Sequence, residues 1–348
     1  MKKITVVVFS AVMLLAGCKG NKQDKEAQAR IKALEDQIAS NAQMFAQLNA
    51  IDTSTANPTS DAKVKLGHML YFETKLSKTG NNTCNSCHNL ATFGVDNESF
   101  SKGDNGGLGG RNSPTVFNAA LHNMQFWDGR AGTIEEQAGG PVLNPAEMAM
   151  PSEAEVIKRL QEDANYQKLF KEAFPNDANP ISYANMRKAI GSFERKLITP
   201  SRFDAYLGGD KMALTEQEKR GWVTFVETGC TSCHSGALLG GTMFQKFGVY
   251  GDYWTMTKSA KVDNGKYDLT KMEADKYMFK VPSLRNVEKT WPYFHDGSVK
   301  DLNTAISIMA KSQLNKTLSE QDVKSISTFL KTLTGTVPAD AMQDPFKK

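Results

Sequence analysis

Apolar side chains recur every three or four residues along several stretches of the chain, and this period predicts amphipathic α-helices. The clearest stretches cover residues 63–72, 152–175, 183–197, 215–230 and 323–333. Two of them begin with a capping box, formed by Ser152 with Glu155 and by Thr215 with Glu218. No stretch alternates apolar and polar residues with the period of two that predicts a β-strand. The predicted fold class is therefore mostly α.

Polar and proline-containing breaks divide this helical pattern. From Lys19 to about Ile51 the chain is polar with apolar residues at helical spacing, which predicts a tether with one helix. A short coiled coil is the alternative, although too few heptads are present to favour it. Residues 57–60 mark the start of the folded body, and Thr199-Pro200 marks a domain junction, because a residue before proline avoids the helical conformation. We therefore expect domains over residues 57–199 and 200–348.

The amino terminus has the pattern of an export signal. Two lysines precede the apolar run 4–15, which is too short to span a membrane. The run ends in Leu15-Ala16-Gly17-Cys18, which resembles a bacterial lipobox. We expect residues 1–17 to be a signal peptide and residues 18–56 to be a tether lipidated at Cys18, in a membrane-anchored protein of the periplasm. A membrane-buried first helix is the alternative.

Composition narrows the class of protein. At 348 residues the chain is long enough for two domains with separate cores. Its formal net charge of +4 is too small to indicate a nucleic-acid partner. Of the 5 cysteines, all but Cys18 fall in two short motifs, so no disulfide framework is expected.

Two copies of a C-x-x-C-H motif carry the most specific chemistry. They are Cys84-Asn85-Ser86-Cys87-His88 and Cys230-Thr231-Ser232-Cys233-His234. The cysteines of such a motif form thioethers to a porphyrin, and the histidine ligates the iron. One copy alone would also fit a redox dithiol or half of a zinc site, but two copies favour two covalently bound haem c groups. Haem c is attached outside the cytoplasm, in agreement with an export signal.

Further segments, in combination with these motifs, resemble the bacterial di-haem cytochrome c peroxidase family, which includes relatives that modify tryptophan in partner proteins. They are Arg111-Asn112-Ser113-Pro114-Thr115-Val116-Phe117-Asn118, Gln125-Phe126-Trp127-Asp128-Gly129-Arg130, Glu135-Glu136-Gln137, Pro145-Ala146-Glu147-Met148 and Trp291-Pro292-Tyr293-Phe294-His295-Asp296-Gly297. They occur in the family's order, and the match runs from about Lys65 to Thr334. The resemblance implies two tandem cytochrome c-like haem domains.

The resemblance implies that the haem of the first motif is the peroxidatic haem, at which hydrogen peroxide binds. It also implies an acid–base carboxylate, an amide beside it, an aromatic wall and a tryptophan between the haems, which are Glu147, Gln137, Phe126 and Trp127. A carboxylate above the iron can move a proton from the near to the far peroxide oxygen. Without the resemblance, a surface carboxylate is the ordinary interpretation of Glu147 and a core side chain that of Trp127.

The haem of Cys230, Cys233 and His234 resembles the family's electron-transfer haem, with Met309 as the second ligand of its iron. A thioether sulfur favours reduced iron, so His/Met ligation raises the reduction potential. Met309 also shares one helical face with neighbouring apolar residues, so core packing is the alternative. The resemblance further implies a histidine at a haem propionate and a calcium site between the haems. The histidine is His295, and the calcium ligands are Asn112 with the backbone carbonyls of Thr290 and Pro292.

The chain departs from the family in one loop. Many members close the peroxidatic iron with a second histidine after the first motif, but no histidine lies between His88 and Arg111 here. Asp104 occupies the matching position, and His122 is the nearest other histidine. The glycines of residues 101–110 predict an irregular, mobile loop. We hypothesise that the iron is open or water-bound in the oxidised enzyme and needs no reductive activation.

The resulting functional expectation is a cytochrome c peroxidase that reduces hydrogen peroxide with electrons from a small cytochrome c or cupredoxin. A homodimer is a further expectation from the resemblance. One alternative is a di-haem electron carrier, with Met148 or Met150 as a ligand of the first iron. Another is a di-haem oxidase of a protein or organic substrate, but those relatives carry tyrosine where Met309 stands.

Overall fold

The computed structural model describes residues 16–48 and 54–347. The first 15 residues, which contain most of the predicted signal peptide, lie outside the described residues. Cys18 falls within a helix, but its side chain is not among those described. In the described part the chain is mostly helical, as the period of its apolar residues predicts.

The helices follow one another from the amino terminus and vary widely in length. They are α1 (Ala16–Ala42), α2 (Asp61–Tyr71), α3 (Cys84–Cys87), α4 (Ile134–Leu143), α5 (Glu153–Gln161), α6 (Ala164–Ala173), α7 (Tyr183–Glu194), α8 (Arg202–Leu207), α9 (Glu216–Thr228), α10 (Tyr253–Thr257), α11 (Tyr267–Thr270), α12 (Leu302–Leu314) and α13 (Glu320–Lys331). Strands β1 (Phe244–Lys246) and β2 (Met278–Lys280) pair antiparallel. Each strand has three residues, too few to show an alternating period in the sequence.

Two hydrophobic cores organise these helices. The first core lies between Leu66 and Ile190 and joins α2 with α4, α5, α6 and α7. The second core is formed mainly by residues between Phe203 and Leu333, which join α8, α9, α12 and α13, and it also includes Leu34 and Ile38 of α1. In each core an early helix crosses a late one, α2 with α7 in the first and α9 with α13 in the second.

Both crossings are built around a glycine. A Cβ atom at Gly67 of α2 would lie 2.0 Å from the carbonyl oxygen of Ala189 in α7. A Cβ atom at Gly221 of α9 would lie 2.1 Å from the carbonyl oxygen of Ser325 in α13. Because both distances are far inside van der Waals contact, any side chain at either position would push the helices apart. The two cores thus share the same close helix crossing, and in each core a single glycine of the earlier helix permits it.

The predicted helix over residues 152–175 is wrong as one continuous helix, because the structure has α5 and α6 there. Only the N-cap half of the predicted capping box is formed: the backbone N–H of Glu155 donates to Ser152 Oγ at 3.2 Å, whereas the Glu155 carboxylate accepts from Arg159 Nε at 3.4 Å. The break follows from Asp163, whose carboxylate accepts a hydrogen bond from the backbone N–H of Asn165 at 2.9 Å. An aspartate in this arrangement starts a new helix.

An early segment of the chain packs against the second core, and a late segment packs beside the first. Helix α1 packs along α9, with Leu34 and Ile38 buried in the second core. Lys219 donates to the Glu35 carboxylate at 2.6 Å and fixes this contact. Near the carboxyl end, Ala341 is buried with Tyr71 in a cluster beside the first core. The predicted tether helix therefore lies on the core that is farther along the chain.

None of the helices in the described part of the chain combines the length and apolar character needed to cross a bilayer.

Candidate active site

The first C-x-x-C-H motif opens into a large cavity. Its cysteines lie in the short helix α3, and His88 follows as the C-cap. The cavity has a volume of about 1080 Å³. This is at the upper end of small-molecule sites, about 1,000 Å³, and leaves room for a large planar cofactor. The predicted site residues that line it are Cys84, Cys87, His88, Asn112, Phe126, Trp127, Gln137, Glu147 and His295.

The ring of His88 is oriented for metal ligation. Its Nδ1 lies 2.9 Å from the carbonyl oxygen of Pro114, and because a carbonyl only accepts, Nδ1 carries the hydrogen and donates. The lone pair therefore stays on Nε2. Burial lowers the pKa of His88, which favours the neutral imidazole that a metal requires. The motif thus fits a covalently attached haem whose iron would be ligated by His88.

Glu147 and Gln137 reach the cavity from adjoining parts of the chain. Gln137 lies in α4, and Glu147 lies in the turn that follows this helix. Asn144 Nδ2 donates to Glu147 Oε1 at 2.8 Å. Burial raises the pKa of Glu147, while the charge of Arg130 and the Asn144 hydrogen bond act in the opposite direction. A carboxyl group in this state is suited to exchanging protons with a bound substrate.

Arg130 is a cavity residue whose role the sequence did not predict. Its guanidinium carbon lies 3.4 Å from the ring centroid of Phe126. Arg130 Nη1 also donates to the two carboxylate oxygens of Asp128, at 3.1 and 3.2 Å. Gly129 has φ +71 between them, so this tight turn places cation and aromatic ring on one wall. In the sequence, an arginine two residues after an aspartate resembles an ordinary surface pair.

Glu194, at the end of α7, is a second unpredicted cavity residue. It is 5% exposed, and burial together with the nearby Glu135 carboxylate raises the pKa of Glu194 to about 8, although Arg195 lowers it. Its position in an amphipathic helix gave no signal, because most glutamates in helices face solvent.

Trp127 lies where the two halves of the chain meet. Its indole Nε1 donates to the carbonyl oxygen of Asn112 at 2.9 Å, and its own carbonyl accepts from the backbone N–H of Lys280 at 2.8 Å. The Trp127 and His295 rings are 6.3 Å apart at 76°. Trp127 therefore contacts segments that precede and follow the second motif.

His295 is a buried side chain with an unpaired polar atom. It is 2% exposed and stacks on Phe279 at 4.3 Å. Burial lowers the pKa of His295. Among the described residues its buried Nε2 has no hydrogen-bond partner. Because buried polar atoms are nearly always paired, this nitrogen fits a contact with an acidic group of a cofactor in the cavity.

The second motif lies outside the lining of this cavity. Gly229 ends α9 with φ +99, and Cys230 begins the short 3-10 helix that follows. His234 Nδ1 lies 2.9 Å from the carbonyl oxygen of Leu239, so its Nε2 is also left to a metal. Burial lowers the pKa of His234. Met309 of α12 packs against an aromatic cluster that contains Phe247, Tyr253 and Phe279.

The predicted calcium ligands belong to two facing segments. Asn112 Nδ2 donates to the carbonyl oxygen of Glu98 at 2.9 Å, which leaves the side-chain oxygen free. Thr290 and Pro292 do not line the cavity, but Asn97 Nδ2 holds the segment between them by donating to the carbonyl oxygen of Trp291 at 2.7 Å. The described residues contain no cluster of three acidic, histidine or cysteine side chains. A cation here would bind amide and carbonyl oxygens, which calcium accepts.

Asp104 and His122, the two side chains considered as further ligands of the first iron, already form hydrogen bonds with other residues. Asp104 is buried, and its carboxylate accepts from the backbone N–H and hydroxyl of Thr79 at 2.7 and 2.9 Å. The loop 101–110 is irregular, as its glycines predict, but Asp104 holds its first half in place. His122 lines the cavity, and its Nδ1 lies 2.8 Å from Lys280 Nζ.

Comparison with known proteins gives a consistent result. Residues 61–212 match the family model described as di-haem cytochrome c peroxidase. The chain is 44% identical over 275 residues to a cytochrome c551 peroxidase from Nitrosomonas europaea, covering 79% of this chain and 80% of that protein. It is 40% identical over 316 residues to a cytochrome c551 peroxidase from Pseudomonas aeruginosa, covering 89% of each. A solved MauG-like protein associated with microbial copper homeostasis is similar, with a TM-score of 0.76, 30% identity and coverage of 85% and 96%.

Proposed function

This chain belongs to the di-haem cytochrome c peroxidase family, and on that premise we propose that the cavity above His88 is where its peroxidase activity resides. The enzyme is an oxidoreductase that reduces hydrogen peroxide. A haem held by Cys84, Cys87 and His88 would supply the iron at which peroxide binds and accepts electrons. The observation that carries this assignment is that one cavity joins the first motif to Glu147 and Gln137.

Glu147 is the proton carrier of this proposal. Its carboxylate would take a proton from one oxygen of bound hydrogen peroxide and return it to the other oxygen, which departs as water, while the haem and its electron donor would supply the two electrons. The raised pKa of Glu147 supports this role, because it makes the carboxylate a stronger base toward the peroxide proton and moves its titration toward neutral pH, where a group can both take and return a proton. Gln137 orients the peroxide by hydrogen bonding, and Phe126 excludes bulk water.

Electrons are proposed to come from the second site, held by Cys230, Cys233 and His234, with Met309 as the second iron ligand. Trp127 is the carrier between the sites. Its hydrogen bond to Asn112 and its contact with His295 support this role, because they fix the indole between the first cavity and the aromatic cluster around Met309.

The first iron is proposed to be accessible in the fully oxidised enzyme. The hydrogen bonds of Asp104 to Thr79 and of His122 to Lys280 support this, because both side chains would have to give them up to bind a metal. Peroxide reduction by the oxidised protein is expected to start without a lag and to be unchanged by pre-reduction. Two low-spin haem signals in the EPR spectrum of the ferric protein, with turnover only after partial reduction, would contradict this.

The remaining assignments concern partners and location. A small cytochrome c is the proposed donor, supported by the name cytochrome c551 peroxidase of the Nitrosomonas europaea and Pseudomonas aeruginosa relatives. A cupredoxin is the alternative donor. A calcium ion at Asn112, Thr290 and Pro292 is proposed between the haems. The lipobox at Cys18 supports a periplasmic protein anchored to a membrane, and homodimer formation is proposed by family resemblance.

A further inference from the structure

Lys280, the last residue of β2, is a buried amine that the peroxidase mechanism leaves without a role. It is 6% exposed and lines the same cavity as Cys84 and His88. Burial lowers the pKa of Lys280 to about 8. No carboxylate in the described part of the protein forms an ion pair with it, although a buried lysine is rarely found without one.

The surroundings of the amine use two of its three hydrogens. Lys280 Nζ donates to the carbonyl oxygen of Met124 at 3.0 Å and to Nδ1 of His122 at 2.8 Å. Burial and the charge of Lys280 lower the pKa of His122 well below its usual value, so its ring is neutral and accepts through Nδ1. These neutral acceptors hold the amine in place but do not neutralise its charge. One N–H donor and one positive charge remain for a partner.

A haem in the cavity would provide an acidic partner for the Lys280 amine, because a haem carries two propionate carboxylates. We propose that Lys280 binds a propionate of the first haem and that His122 is a positioning residue that holds the amine toward it. The inference rests on the proposed function, because the cavity must contain the first haem. A buried carboxylate is strongly destabilised without a cation or hydrogen-bond donors, and Lys280 offers both.

This contact has an electrostatic consequence for the first haem. A propionate that lacks its cation leaves a negative charge near the iron, and this charge favours the ferric over the ferrous state. Replacing Lys280 by methionine removes the charge and keeps a long apolar side chain. The midpoint potential of the first haem is therefore expected to fall in Lys280→Met.

The experiment is a potentiometric titration of the holoprotein, with the two haems distinguished by their optical and EPR signals. Lys280→Met should lower the potential of the first haem and leave that of the second in place, while Lys280→Arg should retain most of the wild-type value. Lys261→Met is the matched control, because Lys261 lines the same cavity but is exposed and screened by water. It should change neither potential.

Two outcomes would overturn the contact: an unchanged first-haem potential in Lys280→Met, or a shift confined to the second haem. If Lys280→Met does not fold, Lys280→Gln removes the charge and keeps an N–H donor, and the same fall is expected. A haem count on the wild-type protein separates this inference from the proposed function. Fewer than two covalent haems would remove the proposed function, whereas two haems with an unchanged potential would remove the Lys280 contact alone.

Discussion

At both C-x-x-C-H motifs the histidine Nδ1 lies 2.9 Å from a backbone carbonyl oxygen, that of Pro114 after the first motif and that of Leu239 after the second. Both motifs also stand beside a crossing of two helices around a glycine. The surroundings differ. The first motif faces a large cavity with Glu147 and Arg130 in its walls, while Met309, the proposed second ligand of the other haem, packs among aromatic rings.

Under the proposed function, one attachment geometry serves two purposes. A buried carboxyl group and space for a small molecule suit chemistry that moves protons. A thioether in apolar surroundings suits electron transfer, because it stabilises reduced iron and excludes water. The proposed division of labour between the two haems therefore depends on the residues that face each motif, and replacing those residues tests it.

The largest effect is expected from Glu147→Gln, which keeps the shape of the side chain and removes its acid–base function. Peroxide turnover should fall by about 10²–10⁴-fold, the usual contribution of a general acid–base group, while both haem spectra stay unchanged. The measurement is steady-state peroxide reduction with optical spectra of both oxidation states. Glu153→Gln is the matched control, because Glu153 is exposed in α5. A fully active Glu147→Gln would remove this residue from the mechanism.

The next largest effect is expected from Met309→Leu at the second site. Loss of the thioether should lower the potential of the second haem and slow turnover about tenfold or more, because axial ligands set haem potentials over about 0.8 V. Potentiometry and turnover measure the two effects.

Met148→Leu is the control for this change, because Met148 lines the first cavity. It should leave both potentials unchanged. A shift at the first haem in Met148→Leu would indicate a methionine ligand there and would favour an electron carrier over a peroxidase.

The shared helix crossing predicts equal costs in the two cores. Gly67→Ala and Gly221→Ala should each lower the free energy of unfolding by about 1–3 kcal/mol, because the added methyl group would overlap a backbone carbonyl oxygen of the partner helix. Chemical denaturation followed by circular dichroism measures this. Gly107→Ala is the control, since a Cβ atom there would meet nothing within 4 Å. A cost at only one of the two crossings would show that the cores are not equivalent.

The smallest effect is expected from Arg130→Gln and concerns pH. The charge of Arg130 opposes the burial that raises the pKa of Glu147, so removing it should raise this pKa further. The proton-accepting form of Glu147 is then lost at a higher pH as the solution is acidified. The acid limb of the pH–rate profile should move to higher pH in Arg130→Gln and stay near the wild-type position in Arg130→Lys. An identical limb in all three proteins would show that Arg130 does not act on Glu147.

Some of these features could be predicted from the sequence because the signal is local. The N-cap hydrogen bonds at Ser152 and Thr215 are confirmed, since each joins residues three positions apart, and the capping box is complete at Thr215. The C-x-x-C-H motifs are equally local. The break at Asp163 could not be seen against the apolar period of residues 152–175, because helical spacing continues through it.

Other features depend on residues that are distant in the sequence. Lys280 lies 158 positions from His122, and a single sequence gives no sign of their contact. Gly67 and Gly221 are single glycines inside helices, a position that ordinarily predicts only a weaker helix. The burial of Glu194 depends on how α7 meets the cavity, and its amphipathic pattern leaves that unspecified.

Because a segment near each end of the chain packs against the core of the other half, the two halves cannot be separated without exposing buried residues. Leu34 and Ile38 belong to the second core, while Ala341 packs beside the first. A truncation or gene fusion at the 199–200 junction would deprive each half of a segment that covers its apolar surface. We therefore expect that neither half alone folds as a module that could be joined to another cytochrome.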